Sequence, residues 1–134
     1  MSRSLGVDFG TKRVGLAVSD PLGMTARPLS VVSRSSVVDE VVGLVKELDI
    51  GTIVVGLPTG LGGDEGASAS EARNLAEELG TATGVDLVLL DERFTSRMAE
   101  SALLESGMKR RERRETVDKV AAAIILQDYL DKQR

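Results

Sequence analysis

Neither cysteine nor histidine occurs among the 134 residues of this chain, and tryptophan is missing as well. Without cysteine there can be no disulfide, thiol nucleophile or thiolate metal site. Without histidine the commonest general base is lost, and the two absences together remove nearly all zinc ligands. An enzyme made from this chain has to work with carboxylates, which suit hard cations such as Mg²⁺ or Mn²⁺ and, through them, phosphate-bearing substrates. The only aromatic residues are Phe9, Phe94 and Tyr129, so platforms for stacking nucleic-acid bases are scarce. No apolar run approaches the ~18 residues of a membrane span, and the first residues read as a strand instead of an export signal. A soluble cytoplasmic protein without membrane association is the expectation.

What is present is a large aliphatic fraction, with hydrophobic residues making up 42% of the chain. A chain of this length can bury roughly two thirds of its unfolded surface, which supports one domain over residues 1–134 with a real core. The net charge of −4 argues against coating nucleic acid by bulk electrostatics, but the charges are unevenly spread. Residues 1–90 hold 7 basic and 12 acidic side chains, whereas residues 91–134 hold 10 and 9. A face that binds a polyanion is therefore expected to draw on the C-terminal third.

Apolar residues alternate at Leu5, Val7 and Phe9 and again at Val14, Leu16 and Val18, joined by Gly10-Thr11-Lys12, which predicts a β-hairpin. A third strand is expected over 26–32 after a turn at Asp20-Pro21-Leu22-Gly23. Ser35 and Ser36 offer an N-cap for a helix over 36–48, whose Val37, Val41, Leu44, Val45 and Leu48 recur at helical spacing. Residues 52–56 read as a buried strand and 57–66 as a glycine-rich loop. Ser68 and Glu71 have capping-box spacing for a helix to about residue 81, and 85–90 is a further strand. Helices are expected from Thr95 to about Gly107 and over 115–130. The order β-β-β-α-β-α-β-α-α implies a mixed sheet with helices on both faces.

Three acids stand out against this frame. Alternation in the first strand places Gly6, Asp8 and Gly10 on one face, and in its partner Gly15, Ala17 and Ser19, so that face is nearly bare except for a carboxylate. An aspartate in a strand needs something to offset its desolvation, either a metal ion or the backbone N–H groups of the Gly10-Thr11 turn. Asp91 and Glu92 stand at the C-terminal end of the last strand, where α/β sheets place ligands, and only one of them can share a given face. Asp118 shares a helical stripe with Ala121, Ala122 and Ile125, small residues among them that would let the helix approach the bare face closely. Each acid alone has an ordinary explanation as a turn, strand-end or first-turn residue. Converging, Asp8, Glu92 and Asp118, with Asp91 as a further candidate, would hold two divalent ions that grip a scissile phosphate.

Basic groups surround these positions. Lys12 and Arg13 follow Asp8, Arg93 follows Glu92, and Lys109-Arg110-Arg111-Glu112-Arg113-Arg114 puts five positive charges into six residues just before Asp118. Such a run is either a solvated interhelical loop or a clamp on a phosphate backbone.

The segments Leu5-Gly6-Val7-Asp8-Phe9-Gly10-Thr11-Lys12-Arg13-Val14-Gly15-Leu16-Ala17-Val18-Ser19-Asp20, Val54-Val55-Gly56-Leu57-Pro58, Asp91-Glu92-Arg93-Phe94-Thr95-Ser96 and Val117-Asp118 through Leu126 resemble the YqgF/RuvX family of ribonuclease H-like nucleases, relatives of the Holliday junction resolvase RuvC. The resemblance implies a five-stranded sheet in the order 3-2-1-4-5 with strand 2 antiparallel. It also implies Mg²⁺- or Mn²⁺-dependent cleavage of nucleic acid, either maturing the 5′ end of pre-16S ribosomal RNA or resolving branched DNA. A monomer or a homodimer is expected, and resolving a two-fold junction would require the dimer. RuvC-type resolvases carry a glutamate at the end of the fourth strand, where this chain reads Gly56-Leu57-Pro58, so the acid of the fifth strand has to substitute.

Two rival readings exist. Asp8-Phe9-Gly10-Thr11 also resembles the phosphate-binding turn of actin-like and sugar-kinase phosphotransferases, but those clasp a nucleotide between two domains and 134 residues supply one. A non-catalytic RNA-binding factor of ribosome assembly would depend on the basic run and not on Asp8.

Overall fold

The computed structural model describes residues 2–10, 13–58, 67–92 and 110–133. In chain order the elements are β1 (Arg3–Asp8), β2 (Arg13–Ser19), β3 (Ala26–Ser33), α1 (Val37–Glu47), β4 (Ile50–Pro58), α2 (Ala67–Thr83), β5 (Asp86–Glu92) and α3 (Arg110–Lys132). The expected helix over 95–107 and most of the expected loop, residues 59–66, lie outside the described residues. No helix among the described residues is long and apolar enough to cross a membrane.

The five strands form one sheet in the order β3-β2-β1-β4-β5. β2 is antiparallel to both β1 and β3, while β1, β4 and β5 run parallel. The arrangement follows from the connections: the short turns between the first three strands permit antiparallel hairpins, and only the crossovers that contain α1 and α2 can return the chain parallel.

The sheet feeds two cores, one on each face. Leu5, Val7, Val14, Leu16, Val18, Ile53 and Val55 pack with Val37 and Val41 of α1 and Ala72, Leu75 and Leu79 of α2. Ala17 and Val54, on the opposite face, pack with Ala122, Ala123, Ile125, Leu126 and Leu130 of α3. Helices therefore cover both faces, as the alternation predicts. The second face is thin because its strand positions are small. A Cβ placed on Gly6 would lie 2.8 Å from both the Ala122 carbonyl oxygen and the Leu126 Cβ, so α3 rests against the backbone of β1 itself.

Three local expectations differ from the structure. Ser36 occupies the N-cap of α1 but makes no side-chain capping bond. Its hydroxyl instead lies 2.7 Å from the Ser33 hydroxyl, a competing local partner that draws it away from the helix. β5 extends through Asp91 and Glu92, because parallel pairing with Leu57 and Pro58 of β4 continues to the end of both strands. α3 begins at Arg110 and not at Glu115, so residues 110–114 of the basic run form helix instead of an interhelical loop. Arginine is a good helix former, and nothing in the run breaks the helix.

The turn between β2 and β3 is built on Asp20. One carboxylate oxygen accepts the N–H groups of Met24 at 2.7 Å and Thr25 at 3.0 Å, and Gly23 supplies the left-handed conformation at φ 70°. Gln127 of α3 clips onto this turn, accepting the Ala26 N–H at 2.8 Å and donating to the Met24 carbonyl at 3.0 Å. The Ser4 N–H donates to the buried Ser19 hydroxyl at 2.8 Å, so the turn stands at the end of the sheet where β1 begins. α3 therefore runs against β1, with its first turns directed toward the end of the sheet where β1, β4 and β5 finish.

Two outcomes test this packing. Gly6→Ala should lower stability by about 1–3 kcal/mol through overpacking, while Gly43→Ala, in open space on α1, should raise it by up to about 1 kcal/mol. Urea unfolding of the two variants checks both signs. The Thr25 and Met24 N–H groups hold the Asp20 carboxyl below its ordinary pKa, so its contribution is present above about pH 4 and lost as pH falls further. Asp20→Asn should be less stable than the parent at neutral pH, and the gap should close in acid; a gap independent of pH would contradict the assignment.

Candidate active site

Asp8 ends β1, the central strand, half-buried and in register with Gly15 on one side and Gly56 on the other. It belongs to the strand series of Gly6, the face that α3 covers. Two further residues of interest approach the same end of the sheet from β5 and α3.

On β5, Leu87 packs into the core under α1 and α2, whereas Val88 and Leu90 pack with α3. Alternation therefore gives position 92 to the face of Asp8 and position 91, which is exposed, to the other. Of the two adjacent acids, Glu92 is the one whose place in the strand matches. It stands in register with Pro58, two positions beyond the level of Gly56 and two strands from β1, about 10 Å sideways.

On α3, Asp118 lies one turn before Ala122, on the row that continues to Leu126. Ala122 and Leu126 are the residues that meet Gly6. From that contact, four residues back along α3 covers ~6 Å, and two residues forward along β1 covers roughly 6.6 Å. Because α3 runs against β1, both steps lead in the same direction. The carboxylates of Glu92 and Asp118 lie outside the described side chains, and among the described residues no group of three acids is placed to hold a metal ion.

The basic candidates divide. Arg13 opens β2 beside this end of the sheet and is exposed. Arg110, Arg111, Arg113 and Arg114 form the first turns of α3, with Arg110 and Arg114 on the same i, i+4 row as Asp118. Lys12, Arg93 and Lys109 lie outside the described residues.

Gly56 explains why no acid stands at the end of β4. The Ile125 side chain fills the space where its Cβ would be, with Cδ1 at 2.5 Å, and Leu57 is buried in the other core. Sequence reasoning missed two residues: Gln127, which ties α3 to the turn at the opposite end of the sheet, and Arg34, which reaches over Phe9 beside Asp8. Neither carries a motif, since the first acts on a turn about a hundred residues earlier and the second lies in a serine-rich stretch readable as a helix cap.

The strand order, with antiparallel β2 and helices on both faces, is that of the ribonuclease H-like nucleases. In keeping with it, the fold is similar to that of Thermus thermophilus RuvC in complex with Holliday junction substrate (TM-score 0.60, 17% identity, 99% of this chain and 96% of that one). It is also similar to that of the fowlpox virus Holliday junction resolvase (TM-score 0.54, 13% identity, 97% and 99%). Within that class the chain belongs to the RuvX family, whose model, described as Holliday junction resolvase, matches residues 2–132. Relatives from Anaeromyxobacter sp. (50% identical over 96% of each chain) and Lactococcus lactis subsp. cremoris strain MG1363 (41% identical over 97% of this chain and 94% of the relative) each carry the name "Putative pre-16S rRNA nuclease".

The packing at Gly56 yields its own test. Gly56→Glu, which restores a strand-four acid, should lower the melting temperature by several degrees in the parent. The same substitution should be less costly in an Ile125→Ala background, where the obstructing side chain is gone. Equal costs in the two backgrounds would show that Ile125 is not what excludes a side chain at position 56.

Proposed function

We propose that the chain is a divalent-metal-dependent nuclease that hydrolyses phosphodiester bonds at the 5′ end of pre-16S ribosomal RNA in the cytoplasm, as one domain over residues 1–134. Asp8, Glu92 and Asp118 are its metal-holding carboxylates. The observation that carries the proposal is the opposed course of α3 and β1, which leads Asp118 and Asp8 away from the Gly6–Ala122 contact by nearly equal steps. Membership in the RuvX family and the name shared by its relatives support the same activity and substrate.

The donor set fits Mg²⁺ or Mn²⁺. It consists of hard oxygen ligands alone, on a chain without histidine or cysteine, with Asp8 half-buried at the end of a central strand. The longer side chain of a glutamate suits the more distant position on β5. When bound, such ions lower the pKa of an attacking water and neutralise charge on the scissile phosphate and departing oxygen. The protein's own part is to hold the acids on rigid elements and to grip the substrate backbone. Arg110 and Arg114, on the row of Asp118, serve that grip with Arg111 and Arg113, and Lys12, Arg13, Arg93 and Lys109 extend it. Asp91, on the other face of β5, is left out of the ligand set.

A four-way DNA junction is the second reading, favoured by the description of the family model. Both are decided by incubating the same preparation with single-stranded RNA, a structured ribosomal precursor and a four-way junction in Mn²⁺ or Mg²⁺. The precursor should be cut in preference to the other two, and Asp8→Asn should reduce cleavage by about 100-fold or more while remaining folded. Cleavage that survives in Asp8→Asn would refute the site, and preference for the junction would refute the substrate.

A further inference from the structure

Arg34 lies in a turn that its neighbours fix. Between β3 and α1, the Ser33 hydroxyl is 2.7 Å from that of Ser36 and 3.2 Å from that of Ser35, and the Ser36 N–H donates to the Ser33 carbonyl at 3.1 Å. Ser33 pairs with Arg13, so this turn stands at the Asp8 end of the sheet. From there the guanidinium reaches over the ring of Phe9, 6.0 Å from its centroid, and its Nη2 lies 3.5 Å from Glu78 Oε1 on α2.

Phe9 is the residue that follows Asp8. The residue is only 9% exposed and belongs to the core under α1 and α2. Gly10, next in line, passes so close to the Arg13 carbonyl oxygen that a Cβ there would overlap it. Asp8 is thus followed at once by a ring held in the core and by a glycine with no room for a side chain. The Arg34 guanidinium lies over one face of that ring. Its ion pair with Glu78 joins side chains that are 30% and 52% exposed, too wet to add much stability, but sufficient to aim the planar guanidinium.

We infer that Arg34 is a positioning residue for the metal site, holding the Asp8 carboxylate in its binding orientation through the ring of Phe9. The inference rests on the assignment of Asp8 as a metal ligand. A purely structural role, tying β3 to α2, would cost stability and leave metal binding alone. A direct contact with the substrate phosphate would raise KM for RNA and also leave metal binding alone.

The test is titration of Mn²⁺ into the whole chain without nucleic acid, followed by calorimetry or by the electron paramagnetic resonance of free Mn²⁺. Asp8→Asn should abolish the site. Arg34→Gln should weaken Mn²⁺ binding about two- to fivefold, the size of a lost half-exposed cation–π contact, and Arg34→Lys should recover much of that loss. Phe9→Leu should weaken binding similarly, and the Arg34→Gln/Phe9→Leu double variant no further than either alone, because both break one connection. Val45→Ala on α1, which also removes packing, should lower the melting temperature with Mn²⁺ affinity unchanged. In cleavage assays Arg34→Gln should raise the Mn²⁺ concentration for half-maximal rate by the same factor, with KM for RNA unaltered. Unchanged Mn²⁺ affinity in Arg34→Gln would overturn the inference, whether melting temperature or KM moves instead. Wild-type Mn²⁺ affinity in Asp8→Asn would overturn the ligand assignment itself, and the two failures are thereby told apart.

Discussion

The fold turns on how closely α3 can lie against the sheet. Where most helices meet a sheet through two layers of side chains, here the Ala122 carbonyl oxygen and the Leu126 Cβ occupy the space above Gly6, and Ile125 occupies the space above Gly56. That contact removes a layer of side chains between helix and sheet. It sets the depth of α3 with a rigid feature, the strand backbone, and leaves only short distances for functional groups one turn further along. Gln127, bonded to the β2–β3 turn, fixes the position of the same helix along its axis. Depth and axial position together determine where Asp118 stands relative to β1.

Charge is partitioned in keeping with that geometry. α1 carries Asp39, Glu40 and Glu47 against Lys46, and α2 carries Glu71, Glu77 and Glu78 against Arg73. The first turns of α3 carry four arginines in five residues. On the proposed function, a polyanion would be repelled from the α1–α2 side and drawn to the end of the sheet where the acids of β1 and β5 stand. Net acidity of the whole chain is therefore compatible with a local basic face.

Much of this was legible in the sequence, for identifiable reasons. Period-two alternation in β1 and β2 separates Gly6 and Asp8 from Leu5, Val7 and Phe9, and the two cores divide along that line. The stripe of Asp118, Ala122 and Ile125 marked the helix that seeks the bare face. What was not legible depended on partners far away in the chain or on local competition. The strand positions of Asp91 and Glu92 needed the pairing of β5 on β4, which carries the strand two residues beyond its apolar run. Ser36 looked like a helix cap, but its hydroxyl found Ser33 first. The start of α3 was misplaced because a dense basic run is read as solvated loop, although arginine favours helix. Arg34 has no signal of its own, since its relation to Phe9 exists only once β3 has paired and α1 has turned back.

The central claim is that Asp8, Glu92 and Asp118 come together to hold divalent cations. Anomalous diffraction from crystals of the whole chain soaked in Mn²⁺ addresses it without reference to substrate or rate. The expected result is a manganese peak at the end of β1, with carboxylate oxygens of the three residues at about 2.0–2.6 Å, the range for hard cations bound by oxygen. A peak elsewhere, or ordered Asp8, Glu92 and Asp118 carboxylates too far apart to share a metal centre, would contradict the account.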